Sequence, residues 1–308
     1  MLGPVPATGR SGLTETDPDE VGRRILAGWD AFLDVVGDPS TDLSSPSRLA
    51  GWSGKDLLIH LGAWDDAPGL ASVLASARDG VFEPAPAPDA ANEALVAAHR
   101  DASLGEVLQS LELSRRRVED FFAGPELATY ATTLSRSSVG PLPVLSLLHA
   151  GTYELAVHAI DLAPCGAPEP AAELLDRGLA ALLDVTGALA ARVGVDITVT
   201  AMTPTGGWRF TSDTDGWTTE PVETGSFDGV GVRGTAADLL DTSAGRAHLA
   251  QLLVSRRLQV QHLPQWMRLA PLLEQVPGLP GGPALRGAVG GLSGVAGGVG
   301  KVLGRFRR

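Results

Sequence analysis

A chain of 308 residues, 44% hydrophobic and 19% charged, holds enough apolar material for one large domain or two of ordinary size. The net charge of −12 is unevenly placed, since the last 28 residues are basic and leave −17 on residues 1–280; a body this acidic repels phosphate backbones and argues against nucleic-acid binding. One cysteine, Cys165, excludes an intramolecular disulfide and thiolate-rich zinc sites, and the sequence has neither a membrane-spanning apolar run nor an apolar signal segment, so a cytoplasmic protein is expected.

Residues 1–18, rich in Gly, Pro, Thr and Asp, read as a disordered leader. Ile25, Trp29, Phe32, Leu33 and Val36 then fall on one face of a first helix, stopped by Gly37-Asp38-Pro39. Ser53-Gly54-Lys55-Asp56 is a capping-box pattern, in which Ser53 caps a helix and Asp56 reaches back. The helix it opens is expected to run through Leu57, Leu58, Leu61 and Trp64, followed by a loop built on Pro84, Pro86 and Pro88. A second box, Ser103-Leu104-Gly105-Glu106, belongs to a third helical stretch that ends near Phe122-Ala123-Gly124-Pro125. A fourth helix runs from about Pro143 to Leu162, before Pro164 and Gly166. Four long helices predict a bundle over residues 19–167, a fold that builds sites from side chains on facing helices.

Residues 169–193 predict a further helix, rich in Ala and Leu, that leads into a second unit. There the period changes to two: Ile197, Val199 and Ala201 alternate with Thr198 and Thr200. Turns at Gly206-Gly207 and Thr214-Asp215-Gly216 suggest an antiparallel meander, with Val230-Gly231-Val232 as a further strand. Thr235 starts a helix, Ala247–Val254 is helical, Leu258-Gln259-Val260 is a short strand and Trp266 to Leu273 a last helix. The second unit is therefore α+β, over residues 168–277. Residues 278–308 form a Gly-rich basic tail, too rich in glycine for a stable helix. It reads as solvated, with weak membrane or partner contact as the sharper alternative.

Among the six histidines, His158 lies four residues after Glu154, so the two side chains stack on one helix face, and Asp161 follows three residues on. A carboxylate and an imidazole at this spacing can hold one divalent ion, although an ordinary i,i+4 hydrogen bond accounts for the spacing equally well. His60 shares a buried face with Leu57, Leu61 and Trp64, and a buried imidazole needs a hydrogen-bond partner or a metal. His149 falls about 180° around its helix from His158 and is excluded from the same site. His99, His248 and His262 read as surface or packing residues, Trp52 as a packing staple, and Cys165 as incidental to chemistry.

The segment Gly51-Trp52-Ser53-Gly54-Lys55-Asp56-Leu57-Leu58-Ile59-His60-Leu61 resembles the GW(S/T)xxDxxxHL signature of the mycothiol-dependent maleylpyruvate isomerase family, part of the DinB-like superfamily of metal-binding four-helix bundles. Glu154, His158 and Asp161 match the family's second signature. Gly207-Trp208, Gly234 to Leu240 with Gly245-Arg246, and Leu258 to His262 are similar to its sterol-carrier-like C-terminal domain. The resemblance covers about residues 20–275. It implies a DinB-like four-helix bundle followed by a smaller sterol-carrier-like α+β domain. It also implies His60, Glu154 and His158 as metal ligands, a set that suits zinc with a coordination position left open. Two roles are open for Asp161: orienting a ligand histidine, or capping the helix end, where an aspartate opposes the helix dipole. Mycothiol, the abundant thiol of actinobacteria, would be the cosubstrate of an S-transferase or cis–trans isomerase acting on a small electrophile. Arg246, Arg256 and Arg257 are the places to seek a group that binds an anionic substrate from the second domain. Two other readings stay open: a non-enzymatic binder holding an apolar or lipid-like ligand in its C-terminal domain, with the bundle as scaffold, and a family member that keeps the metal without the thiol chemistry.

Overall fold

In a computed structural model, which describes residues 3–15, 17–65, 69–82, 88–269 and 272, the helical periodicity of the first half resolves into a helical domain and the two-residue periodicity of the second into a sheet. The chain opens with a two-residue strand, β1 (Arg10–Ser11). Asp17 caps α1 (Pro18–Gly37), whose face of Ile25, Trp29, Phe32 and Val36 is buried as its spacing requires. Next come α2 (Gly54–Leu61), α3 (Leu70–Asp79), α4 (Pro88–His99), α5 (Leu104–Ala123) and α6 (Glu126–Tyr130). A small ladder of β2 (Leu134–Ser135) and β3 (Leu142–Pro143) leads into α7 (Val144–Asp161) and α8 (Ala172–Arg192). The second half holds β4 (Ile197–Thr203), β5 (Gly206–Asp213), β6 (Gly216–Val222), β7 (Val230–Arg233), α9 (Ala236–Ser243), α10 (Leu249–Val254), β8 (Gln259–Gln261) and α11 (Leu263–Trp266).

The sheet has the order β1-β6-β5-β4-β7-β8. Strands β4, β5 and β6 form the antiparallel meander that the turn residues predict. Beyond it the sheet is mixed: β7 returns parallel to β4, and β1 adds parallel to the free edge of β6. Helix α8 lies between the halves, against α7 on one side and the sheet on the other. Its crossing with α7 needs a glycine, because a Cβ at Gly178 would stand 2.4 Å from that of Ala156. A single cluster of buried apolar side chains runs through both halves, from Leu13 and Phe32 to Phe210 and Leu258. No helix among the described residues is long and apolar enough to cross a membrane.

Several expectations need correction. The leader is ordered where it is described: Ala7 donates to Thr132 O, Leu134 donates to Val5 O, and Leu13 is buried. Backbone pairing at a sheet edge needs no apolar pattern, so composition alone misled there. Helix α2 ends at Leu61, with Gly62 as its C-cap, so Trp64 lies beyond it and its indole N–H donates to Ile59 O at 2.9 Å. The stretch between the first two capping boxes carries α3 and α4, and Pro88 opens α4 at a position where a missing N–H costs nothing. The helix expected over Trp266 to Leu273 is preceded by α11, which covers Leu263–Trp266, and opens with a 3-10 turn over Met267–Leu269; residues 270, 271 and 273 lie outside the described residues. Pro84 and Pro86 and the Gly-rich tail lie outside the described residues.

Both capping boxes form as read. The Ser53 hydroxyl accepts from Asp56 N at 3.1 Å, while Ser53 N donates to the Asp56 carboxylate at 2.9 Å. Ser53→Ala is expected to lower stability by about 1 kcal/mol, measured as a reduced urea midpoint at unchanged m-value.

Candidate metal centre

The Ser53 cap fixes where α2 begins and thus which residues its one full turn after Leu57 presents. Leu57, Leu58 and Ile59 are fully buried, which leaves His60 at the helix end facing α7. Gly62 lets this end approach α5 closely, since a Cβ there would lie 2.1 Å from the Ser110 hydroxyl. The His60 ring packs against Trp52, with centroids 5.8 Å apart, so Trp52 is a wall of the site as well as a packing residue at the helix start.

From α7, Glu154 and His158 meet His60 as their i,i+4 spacing requires. Glu154 Oε2 stands 3.3 Å from His158 Nε2 and 3.8 Å from His60 Nε2, and the two imidazoles meet edge to face at 5.3 Å. One ligand atom from each of the three residues lies within 4.8 Å of the others. Donors about 2.0–2.1 Å from a tetrahedral zinc stand roughly 3.3–3.4 Å apart, so the two edges at Glu154 are already close to that spacing and the two imidazoles would have to draw together to close on an ion. His60 Nδ1 is buried with no hydrogen-bond partner among the described residues, so no such bond holds that nitrogen. The donor set and its spacing fit a divalent cation.

Asp161 completes the arrangement from behind. Its carboxylate, fully buried, stands 3.0 Å from His158 Nδ1 and accepts from Arg246 Nε at 3.1 Å and Arg246 Nη2 at 3.1 Å. Arg48 lies on its other side, at 3.9 Å, and forms a bidentate pair with Asp241 at 3.0 Å. The Arg48 backbone N–H also donates to Asp161 O at 3.0 Å. Since Asp161 accepts at Nδ1, His158 offers Nε2 to the triangle. Burial disfavours the charged imidazole of His158, but the carboxylates of Asp161 and Glu154 outweigh it and the group is pushed up to about 9. Burial likewise opposes ionisation of Glu154, yet the hydrogen bonds from His158 and His60 hold its carboxyl well below the usual range.

Of the three arginines singled out in the second domain, Arg246 alone reaches the site, through Asp161. Arg257 pairs with Asp238, and Arg256 is exposed at a left-handed position, φ 60°, after α10. His149 points away from the triangle, as its position on α7 demands, and faces Asp184 of α8 at 3.5 Å. His99 stacks on Trp64, with centroids 3.9 Å apart. Burial pushes the Cys165 thiol up, and its sulfur lies against Ser45 O and Pro46 O, away from the triangle. Sequence reasoning missed Arg48, whose only signal was its place just before the Gly51-Trp52 signature. It also missed a cavity of about 230 Å³ beside His60, lined by Leu70, Val73, Ser114, Arg117 and Leu148.

Residues 24–163 match the family model described as the mycothiol maleylpyruvate isomerase N-terminal domain. Among solved structures, the chain is similar to the mycothiol-dependent maleylpyruvate isomerase, at 18% identity and a TM-score of 0.50, with 77% of this chain and 93% of that one covered. A histidine-to-alanine mutant of that isomerase gives the same identity and score over 82% and 96%. At this identity the likeness shows the fold. No curated protein matches the chain significantly.

Proposed function

Because the chain belongs, through residues 24–163, to the mycothiol maleylpyruvate isomerase family, we propose that it is a metal-dependent, mycothiol-using enzyme, an isomerase or S-transferase acting on a small electrophile. The observation that carries this reading is the convergence of His60, Glu154 and His158 within 4.8 Å, backed by Asp161. Two imidazoles and one carboxylate suit zinc and leave coordination positions for a ligand from solution. A metal held there supplies the charge that lets a bound thiol ionise near neutral pH and become a nucleophile.

The chain's own residues do the rest. Asp161 keeps His158 in the tautomer that presents Nε2, Arg246 helps keep Asp161 ionised, and Arg48 stands beside it. The cavity beside His60 offers apolar walls with one guanidinium, Arg117, and can hold a small electrophile next to the triangle while excluding water. A bundle that served only as scaffold would not account for three ligating groups meeting in this way.

Metal analysis of purified protein, together with mycothiol consumption over a panel of epoxides, activated alkenes and alkyl halides, tests this reading. About one zinc or similar ion per chain and thiol consumption with at least one electrophile are expected. Absence of stoichiometric metal rejects it, and metal without thiol consumption leaves a protein that keeps the site and has lost the chemistry.

The acid–base state of the site adds a further expectation. With His158 pushed up to about 9, the metal-free protein is protonated there at neutral pH, and an ion must displace that proton. Metal affinity should therefore climb as pH rises toward about 9 and then level off. Zinc titration calorimetry in buffers of different ionisation enthalpy should register about one proton released per ion at pH 7.

A further inference from the structure

On the face of α7 opposite the metal triangle lies a second and larger cleft, about 940 Å³, between α1, α7, α8 and the β4–β5 turn. Its size is at the upper end of small-molecule sites. Two polar groups at its inner end come from α7: His149 and Thr152, both almost fully buried.

Behind His149, the Asp184 carboxylate is fixed by an unusual number of donors. Its Oδ1 accepts from Leu13 N at 3.2 Å, Trp217 Nε1 at 2.9 Å and Thr219 Oγ1 at 2.9 Å, while Oδ2 faces His149 Nδ1 at 3.5 Å. A carboxylate held in this way accepts a hydrogen bond from Nδ1–H of His149 and leaves Nε2 as the nitrogen available to a ligand. The Thr152 hydroxyl is the second signal. It is 1% exposed and has no hydrogen-bond partner among the described residues. A helical threonine ordinarily donates to the carbonyl one turn back, and a buried hydroxyl left unpaired costs stability. An acceptor or donor brought into the cleft would satisfy it.

The walls specify charge. Arg24 is paired with Glu20 at 2.8 Å, a carboxylate it shares with Arg23. The remaining charged lining is Arg177 against Glu173, Asp176 and Glu223, an excess of carboxylate on a chain that is acidic throughout. Asp176 is half-buried and accepts from Trp208 Nε1 at 3.0 Å, and burial raises its pKa against the lowering effect of that bond and of the nearby Arg177 and Arg24, so a further cation beside it would relieve the remaining cost of its ionisation. An anion is disfavoured here, and a ligand carrying both hydroxyls and a positive charge is matched.

We propose that this cleft is a second binding site, separate from the metal centre, for a hydroxyl-bearing cation of about the size of an amino sugar. Glucosamine, glucose and glucuronate form a probe series of near-constant shape and charges of +1, 0 and −1. Calorimetric titration of the full-length protein should show binding of glucosamine, weaker binding of glucose and none of glucuronate. Thr152→Val, isosteric but without the hydroxyl, and Asp176→Asn, which keeps the acceptor for Trp208, should each weaken glucosamine binding about tenfold. Thr152→Val should also raise the melting temperature of the unliganded protein, because it removes an unpaired buried hydroxyl. His60→Ala should leave glucosamine binding unchanged. Glucosamine failing to bind at tens of millimolar, glucuronate binding as tightly, or Asp176→Asn binding like the wild type would each overturn the proposal.

Discussion

Replacing His60 with alanine is expected to strip the metal from the protein and abolish thiol chemistry while leaving the fold intact. The fold expectation follows from what else α2 holds in place. Its N-terminus is fixed by the Ser53–Asp56 box and its buried face by Leu57, Leu58 and Ile59, none of which contributes to the triangle. Among the described residues His60 makes no hydrogen bond through Nδ1, so truncation leaves no backbone partner there unsatisfied. The metal expectation follows from ligand number. Outer-shell partners of metal sites cost roughly 10–100-fold in affinity when removed, and loss of one of three direct ligands should exceed that range. The chelator response separates the two effects. An ion at 100 times its dissociation constant adds about 2.7 kcal/mol to stability, so chelation should lower the wild-type melting temperature by several degrees. In His60→Ala the same treatment should change nothing. A variant that still binds one zinc per chain with wild-type affinity would remove His60 from the site.

The sequence was most informative where a local pattern has a single structural solution. Ser53 and Asp56 at i,i+3 specify a helix start, and that start places His60. Glu154 and His158 at i,i+4 can only share a face, and the helix is regular enough that His149 falls on the other side. What stayed hidden depends on long-range contacts. Arg48 and Arg246 lie far apart in sequence and meet only around Asp161. Asp184 had a local cue, an acid within the Ala/Leu-rich run of α8, but its four partners come from three separate segments. Helices α3 and α4 were missed because their short apolar runs carry no capping box, and α3 starts at Gly69 without a side-chain cap. The parallel pairing of β7 with β4 and of β1 with β6 is a matter of topology, and two-residue periodicity is blind to it.

Asp161 carries the largest stability effect expected of any single site residue. Its carboxylate is fully buried among His158, Arg246 and Arg48, each of which is held in part by that charge. Asp161→Asn keeps the shape and removes the charge, leaving Arg246 without its carboxylate partner while Arg48 keeps Asp241. Breaking a buried ion pair from one side typically costs about 3–5 kcal/mol, because the remaining charge stays desolvated and unpaired. The same change should weaken metal binding by about 10–100-fold, since His158 loses the acceptor that sets its tautomer. Arg246→Met discriminates between these roles. It leaves Asp161 next to His158 and Arg48, so it should lower stability with a smaller effect on the metal. The Asp161→Asn/Arg246→Met double variant should then recover part of the stability lost by Asp161→Asn alone, with a coupling of about 0.5–3 kcal/mol, and recover none of its metal affinity. Urea unfolding in the presence of chelator measures the first quantity, and competition against a zinc indicator the second. If the two losses rise and fall together across all three variants, Asp161 acts on the metal only through stability. If they separate, the carboxylate positions His158 directly.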